Sequence, residues 1–375
     1  MRVLITNGSL GHVAGTQVYV RDLAAWLLDR GHSPVVYGPN LGETATHLQR
    51  LTIPVTDDLT TIGAAPDVIH GNSAAETMTA LLHFPSAPAI FVCHSWRGTL
   101  AKPPRFPRLL HYVAVDDTCA DRLLFEEGIS ADEMTVLLNG VDTARFQART
   151  APLPARPRRA LVFGNAAHAA THQGVIREAC ARAGIEVDVI GQAAGTAVEE
   201  PEKALGQYDL VFAKAKCALE AMASGAAVIL CDVAGLGGMV RASEVARLRR
   251  LNFGVRALSE PLSEDAILQE IESYDAADAA KVSELIRETA STDLLHQQLL
   301  ELYERVIAQG FTRDWDAESR AAAVFLRRVS TGGGQEANLN LVVQATHHLL
   351  DTPLIGRFLT RSAQWLVGRG RKRVR

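Results

Sequence analysis

The chain has no apolar run long enough for a bilayer span, which takes about 20 residues: the longest, Ala223 to Val240, is interrupted by Asp232 and several glycines. Its start, Met1-Arg2-Val3-Leu4-Ile5-Thr6, reaches Asn7-Gly8 after three apolar residues, too few for the apolar core of a signal peptide. A cytoplasmic location is therefore expected. Cysteine is scarce: the five, Cys93, Cys119, Cys180, Cys217 and Cys231, are odd in number and include no C-x-x-C pair. That excludes a disulfide scaffold and argues against a zinc or redox dithiol site. Positive charge is not in excess either. With 38 Lys and Arg against 42 Asp and Glu, net −4, the molecule has no field to hold nucleic acid through its phosphates, and no nucleic-acid partner is expected.

What is present is the composition of an ordinary globular chain, 47% apolar and 21% charged over 375 residues, with room for two or three domains. Val3 to Thr6 reads as a short buried strand, followed by the glycine-rich loop Gly8 to Gly15 and a helix whose apolar stripe is Val20, Leu23, Ala24, Leu27 and Leu28, closed by Gly31. Pro34–Tyr37, Asp67–His70, Ala89–Cys93, Tyr112–Val115 and Thr135–Leu138 continue the rhythm of an open parallel sheet. Thr150 to Pro157 holds three prolines in eight residues and reads as a linker. The rhythm restarts with strands at Ala160–Phe163, Glu186–Ile190, Leu210–Phe212 and Ala227–Leu230, with helices around Val175–Ala183 and Ala218–Ser224. After Pro261 it turns helical, with Ala266–Tyr274, Ala279–Glu288 and Leu294–Ala308. The expected fold class is α/β, with two Rossmann-like doubly wound domains at 1–150 and 151–310 and a helical extension at 311–375.

Open parallel sheets bind ligands beyond the carboxyl ends of their strands, where glycine lets backbone amides approach a phosphate. Gly8, Gly11 and Gly15 lie at such a place. Their spacing is G-x-x-G-x-x-x-G, and no acidic residue ends the second strand at Tyr37-Gly38-Pro39, which argues against a nicotinamide dinucleotide.

Asn139-Gly140-Val141-Asp142-Thr143-Ala144-Arg145-Phe146 follows a strand and directly precedes the linker. Together with Gly15 to Ala24, Tyr112 to Asp117 and Leu219-Glu220-Ala221-Met222-Ala223-Ser224-Gly225, it resembles the retaining glycosyltransferases of sequence family four, over about residues 1–310. The resemblance implies the type-B fold (GT-B), two Rossmann-like domains facing across a cleft, and a hexosyltransferase-like activity. A sugar would pass from a nucleotide-diphosphate sugar, the donor substrate, to a sugar, lipid-linked or other small-molecule acceptor, with retention, no metal and no cofactor. Glu220 matches the glutamate that holds the ribose hydroxyls, and a carboxylate accepts both hydrogens of a vicinal diol. Gly11, Gly15, Gly164, Asn165, Lys214 and Lys216 complete the implied donor site. His94, ending a strand in Phe91-Val92-Cys93-His94-Ser95-Trp96, matches the family's active-site histidine and is the catalytic candidate. His70, Asn139 and Asp142 are assigned to the acceptor side or the cleft.

The chain departs from the family in two places. The first glutamate of its E-x7-E motif is replaced by Phe212, and the lysine expected after the first strand of the second domain by Gln173. The short loop Ala213-Lys214-Ala215-Lys216 carries two cations before a helix, which suits a bound anion between them. Asp314-Trp315-Asp316 has the form of a D-x-D metal motif, but in the helical extension it reads as surface charge. A non-catalytic sugar-nucleotide-binding or scaffolding protein of the same fold is the second reading. A type-B epimerase, the third, would need further acidic or histidine groups in the cleft. After residue 330 seven cations face two carboxylates, a net +5 that leaves −9 on the rest. An amphipathic helix from Pro353 followed by the basic run suits an anionic membrane surface at the inner face of the membrane, or packing back on the domains.

Overall fold

The computed structural model of the protein describes residues 1–11, 15–98, 102–165, 167 and 171–330. The described residues divide into two compact units, 1–104 with 108–313 and 105–107 with 314–330. The first unit contains both α/β sheets.

Its first sheet comprises β1 (Arg2–Thr6), β2 (Ser33–Tyr37), β3 (Val55–Thr56), β4 (Val68–Gly71), β5 (Ala89–Cys93), β6 (Leu109–Ala114) and β7 (Met134–Val136). All are parallel, in the order β3-β2-β1-β4-β5-β6-β7. Parallel pairing needs crossovers that lay helices on both faces. β4 and β5 are accordingly buried at every residue, which is why they read as short unbroken apolar runs. The crossover helices include α1 (Gly15–Asp29), α2 (Glu43–Arg50), α3 (Ala74–His83) and α4 (Asp117–Asp121). α1 buries Val20, Leu23, Ala24 and Leu27 but leaves Leu28 at 36% exposure, so its buried stripe is one residue narrower than the periodicity suggests. Gly31 ends the turn at φ +78°, a left-handed conformation that costs glycine least.

The second sheet comprises β8 (Arg159–Phe163), β9 (Glu186–Ile190), β10 (Leu210–Ala213), β11 (Ala227–Asp232) and β12 (Gly235–Met239), in the order β12-β11-β10-β8-β9. β12, antiparallel to β11, lies in the glycine-interrupted stretch that offers little strand propensity. Its glycines answer a different demand: a Cβ on Gly237 would come within 2.4 Å of the Ala257 carbonyl oxygen. The associated helices are α5 (Gln173–Arg182), α6 (Pro201–Leu205), α7 (Ala215–Ala223), α8 (Val245–Arg250), α9 (Glu264–Glu272) and α10 (Ala276–Thr289). One core joins Val211, Met222, Leu248 and Ile286; the other joins Val162, Ile176, Phe212 and Ile267. Neighbouring residues of β10 thus feed opposite cores, the period-two alternation of a strand.

The crossings between the two sheets differ from the expected boundaries at 150 and 310. Val141 and Phe146 already belong to the second domain's core. The outgoing chain meets the returning chain where the Val141 N–H donates to the Ala290 carbonyl (2.8 Å) and the Thr292 N–H to the Val141 carbonyl (3.0 Å). The next helix, α11 (Thr292–Gln309), packs against α1, β4 and β5 of the first sheet, burying Leu295, Leu299, Leu302, Tyr303 and Val306. In the second unit residues 315–330 are helical. Asp314 Oδ1 accepts the Ala317 N–H at 2.9 Å, a helix cap that accounts for the first carboxylate of Asp314-Trp315-Asp316. The amphipathic segment from Pro353 lies outside the described residues.

Candidate active site

In each sheet the strand order reverses at one point, between β1 and β4 in the first and between β8 and β10 in the second. Loops diverge there at the carboxyl edge and leave a crevice. A cavity of about 520 Å³ occupies that position, lined from the first domain by Gly15, Val18 and Arg21 and from the second by Gly164, Asn165, Lys214, Lys216 and Glu220. Among the described residues, Gly15 and Gly164 have no heavy atom within 4 Å of where a Cβ would stand.

α7 brings the charged groups together. Lys214 is its N-cap residue. Ala215 follows in a left-handed conformation, φ +50°, held by its N–H to the Phe253 carbonyl at 2.9 Å. This turn, unusual for a residue with a Cβ, sets both lysines at the mouth of the helix. The Lys214 ammonium pairs with the buried carboxylate of Asp232, which ends β11 and stands 3.9 Å from His172 Nδ1. Lys216 Nζ reaches 3.7 Å from Asp22 Oδ2 on α1 and so spans the two domains.

Glu220 lies one turn further along α7 and is 8% exposed. Burial pushes its carboxyl up to about 7, against the opposing pull of the Lys216 and Arg145 cations. Arg145 enters the cavity from the motif after β7 and is paired with Glu202 of α6 at 2.8 Å. Asp142 fixes that approach, its Oδ1 accepting the N–H groups of Ala144 and Arg145, each at 3.0 Å.

The structure brings Gly15, Gly164, Asn165, Lys214, Lys216 and Glu220 to one cavity, and it puts the other expected site residues elsewhere. Gly11 packs against the loop after β2: a Cβ on Gly42 would come within 2.4 Å of its carbonyl oxygen. Asn139 uses its carbonyl to accept from Arg249 at 3.5 Å. Asp142 is the turn cap just described. His70, fully buried in β4, bonds through Nδ1 to the Tyr303 hydroxyl (2.5 Å) and through Nε2 to Asn72 Oδ1 (3.2 Å). His94 directly follows β5 with Nε2 at 2.7 Å from the same Asn72 oxygen, and Tyr19, next along α1 from the cavity-lining Val18, packs against it edge to face. Burial lowers the pKa of His70 to about 3 and of His94 to about 4, so both rings are neutral near pH 7.

Four contributors were not singled out from the sequence: Arg145, Asp22, Asp232 and Asn72. Asp232 left a signal, a lone carboxylate in the apolar stretch 223–240. Arg145 and Asn72 sat inside segments noted for their neighbours, and Asp22 looked like one more polar residue on the open face of α1.

Residues 13–145 match Glycosyltransferase Family 4. In fold, the chain is similar to a glycosyltransferase from Rickettsia africae ESF-5 at 14% identity and a TM-score of 0.58, over 82% of this chain and 98% of that one. It is likewise similar to HepE of Anabaena, solved in complex with UDP and glucose, at 15% identity and a TM-score of 0.55, over 80% and 99% of the two chains. Sucrose-phosphate synthase from Thermosynechococcus elongatus matches at 13% identity and a TM-score of 0.52, over 82% and 100%. No curated protein sequence matches the chain. The fold is therefore GT-B, two Rossmann-like sheets facing across a cleft, and the first domain is similar to Family 4.

Proposed function

We propose that the protein is a retaining glycosyltransferase that binds a nucleotide-diphosphate sugar in the 520 Å³ cavity and passes the glycosyl group to an acceptor held by the first domain. The observation that carries this reading is Glu220: a carboxylate buried in the cavity wall, flanked by cations and one helical turn from the lysine-bearing end of α7. In this reading Glu220 accepts the two ribose hydroxyl hydrogens. The diphosphate takes Lys216, Arg145 and the N–H groups of Lys216 and Cys217 in the first turn of α7, so the charge of the leaving group is met by fixed cations and a helix dipole without a resident metal. The bond from the anomeric carbon to phosphate breaks while the acceptor oxygen approaches on the same face, and its proton leaves with the departing phosphate oxygen. In this reading His94, which packs against Tyr19 beside the cavity-lining Val18, serves the reacting centre from the first domain.

The replacement of the usual glutamate by Phe212, a core residue of β10, and of the usual lysine by Gln173 supports a second reading, a binding or scaffolding protein that holds the sugar nucleotide without turnover. The test is release of nucleoside diphosphate from UDP-, GDP- and ADP-sugars by the purified chain, with the anomeric configuration of any product read by NMR. Turnover with an unchanged anomer supports the retaining transferase. Tight nucleotide binding without turnover supports the second reading, and an inverted anomer contradicts retention.

A further inference from the structure

The hydrogen bonds around Asn72 settle the orientation of its amide. Its Nδ2 lies 2.9 Å from the Thr6 carbonyl, a group that can only accept. The opposite atom is therefore the oxygen, and it stands within reach of Nε2 of both His70 (3.2 Å) and His94 (2.7 Å). An oxygen placed between two imidazoles requires both to donate, so each neutral ring carries its proton on Nε2. His70 then accepts the Tyr303 O–H at Nδ1, and its two nitrogens are satisfied. His94 differs: its Nδ1 has no partner among the described residues.

We propose that Asn72 is a positioning residue for His94, holding the ring as the Nε2–H tautomer so that it meets the reacting sugar or acceptor through Nδ1, as a hydrogen-bond acceptor and never as a donor. The assignment of His94 to the reacting centre rests on the function proposed above; its tautomer does not. A ring fixed in this way takes a hydrogen bond from a hydroxyl and aims that hydroxyl's oxygen. With its basicity lowered by burial, it orients the group and leaves it protonated. The same oxygen ties His94 to Tyr303, so the helix that returns from the second domain, α11, braces the far side of the network.

The test uses the full chain labelled with 15N-histidine at pH 7, with His94 assigned by comparison with His94→Gln. Two-bond nitrogen–proton correlations are expected to show His94 neutral and protonated at Nε2. Asn72→Ala should open a visible Nδ1–H population, and Asn72→Asp, which keeps an oxygen in place, should restore Nε2–H. Wild-type protein in the Nδ1–H form, or His94 unchanged in Asn72→Ala, overturns the proposal. Should the alanine variant not fold, a Nδ1–H ring in Asn72→Asp overturns it equally. In turnover of UDP-glucose as probe donor, Asn72→Ala should lower kcat tenfold or more with UDP affinity unchanged. The double variant Asn72→Ala/His94→Gln should be no slower than His94→Gln alone, because Asn72 acts through His94. Multiplying losses contradict that dependence. Wild-type protein that turns over no nucleotide sugar counts against the transfer reading alone, since the tautomer result needs no substrate.

Discussion

Glu220 shows how a buried carboxylate weighs on the fold. A carboxyl whose pKa is raised in the folded state, here from 4.5 to about 7, makes its full contribution to stability below the unfolded value and loses it as pH rises through the folded one. Glu220→Gln carries no charge to desolvate. The ligand-free variant should therefore be more stable than the wild type at pH 8, by about 1–3 kcal/mol, and equal to it below about pH 4.5. Thermal unfolding at the two pH values reads this directly, and a variant destabilised at pH 8 would mean that the carboxylate is anchored by the fold. Lys216 makes the complementary case. Held only loosely by Asp22, at 3.7 Å, it is free to exchange that carboxylate for a diphosphate. Lys216→Ala should weaken UDP by about 1–3 kcal/mol and leave uridine nearly untouched. Equal losses for the two ligands would remove Lys216 from the phosphates. At this scale the sequence was most legible where chemistry is unusual in place, as with two lysines at the start of a helix. It was least legible where a residue acts through another, as Asn72 does, because hydrogen bonds between distant strand ends leave no spacing to read.

Among the elements, the glycines separate packing from ligand access. A Cβ on Gly140 would stand 2.9 Å from the backbone of Thr292, where the two crossings touch. Gly140→Ala should cost about 1–3 kcal/mol of stability through overpacking. Gly164, with nothing within 4 Å among the described residues, should accept alanine without loss of stability, while the added methyl enters the cavity and weakens nucleotide binding. Melting temperatures and UDP titrations of the pair decide it; a Gly164→Ala variant that melts early and binds normally would reverse the assignment. The central strands were readable because both faces of the sheet are covered there, which leaves compact apolar runs. β12 was hidden because its glycines serve the close approach of neighbouring backbone. The helical period of α11 was plain in sequence, but its partner was not: amphipathicity names a buried face and is silent about which sheet buries it.

For the whole molecule, the two halves of the cleft are joined by chain crossings at Gly140–Val141 and Ala290–Thr292 and by ion pairs such as Arg256 with Asp121 at 2.6 Å. Exposed pairs of this kind contribute at most about 1 kcal/mol each, which suits domains that close over a substrate and reopen. The tail after residue 330, net +5 in sequence, leads us to propose that the protein works at an anionic membrane surface on a lipid-linked acceptor. Full-length protein should co-sediment with phosphatidylglycerol-containing vesicles more than a chain ending at Ser330, and the difference should shrink at high salt. Equal partitioning of the two chains would discard the membrane role.

The claim that the rest depends on is that Glu220 receives the ribose of a nucleotide-diphosphate ligand in the cavity between the sheets. Calorimetric titration of UDP into wild-type protein and Glu220→Gln, at pH 6 and pH 8, tests it. Because only the ionised carboxylate accepts both hydroxyl hydrogens, wild-type affinity should rise from pH 6 to pH 8 as the group titrates near 7. The glutamine variant should bind about 1–3 kcal/mol more weakly at pH 8 and show a smaller change with pH. Equal affinity of a folded Glu220→Gln and the wild type at pH 8 would contradict the account.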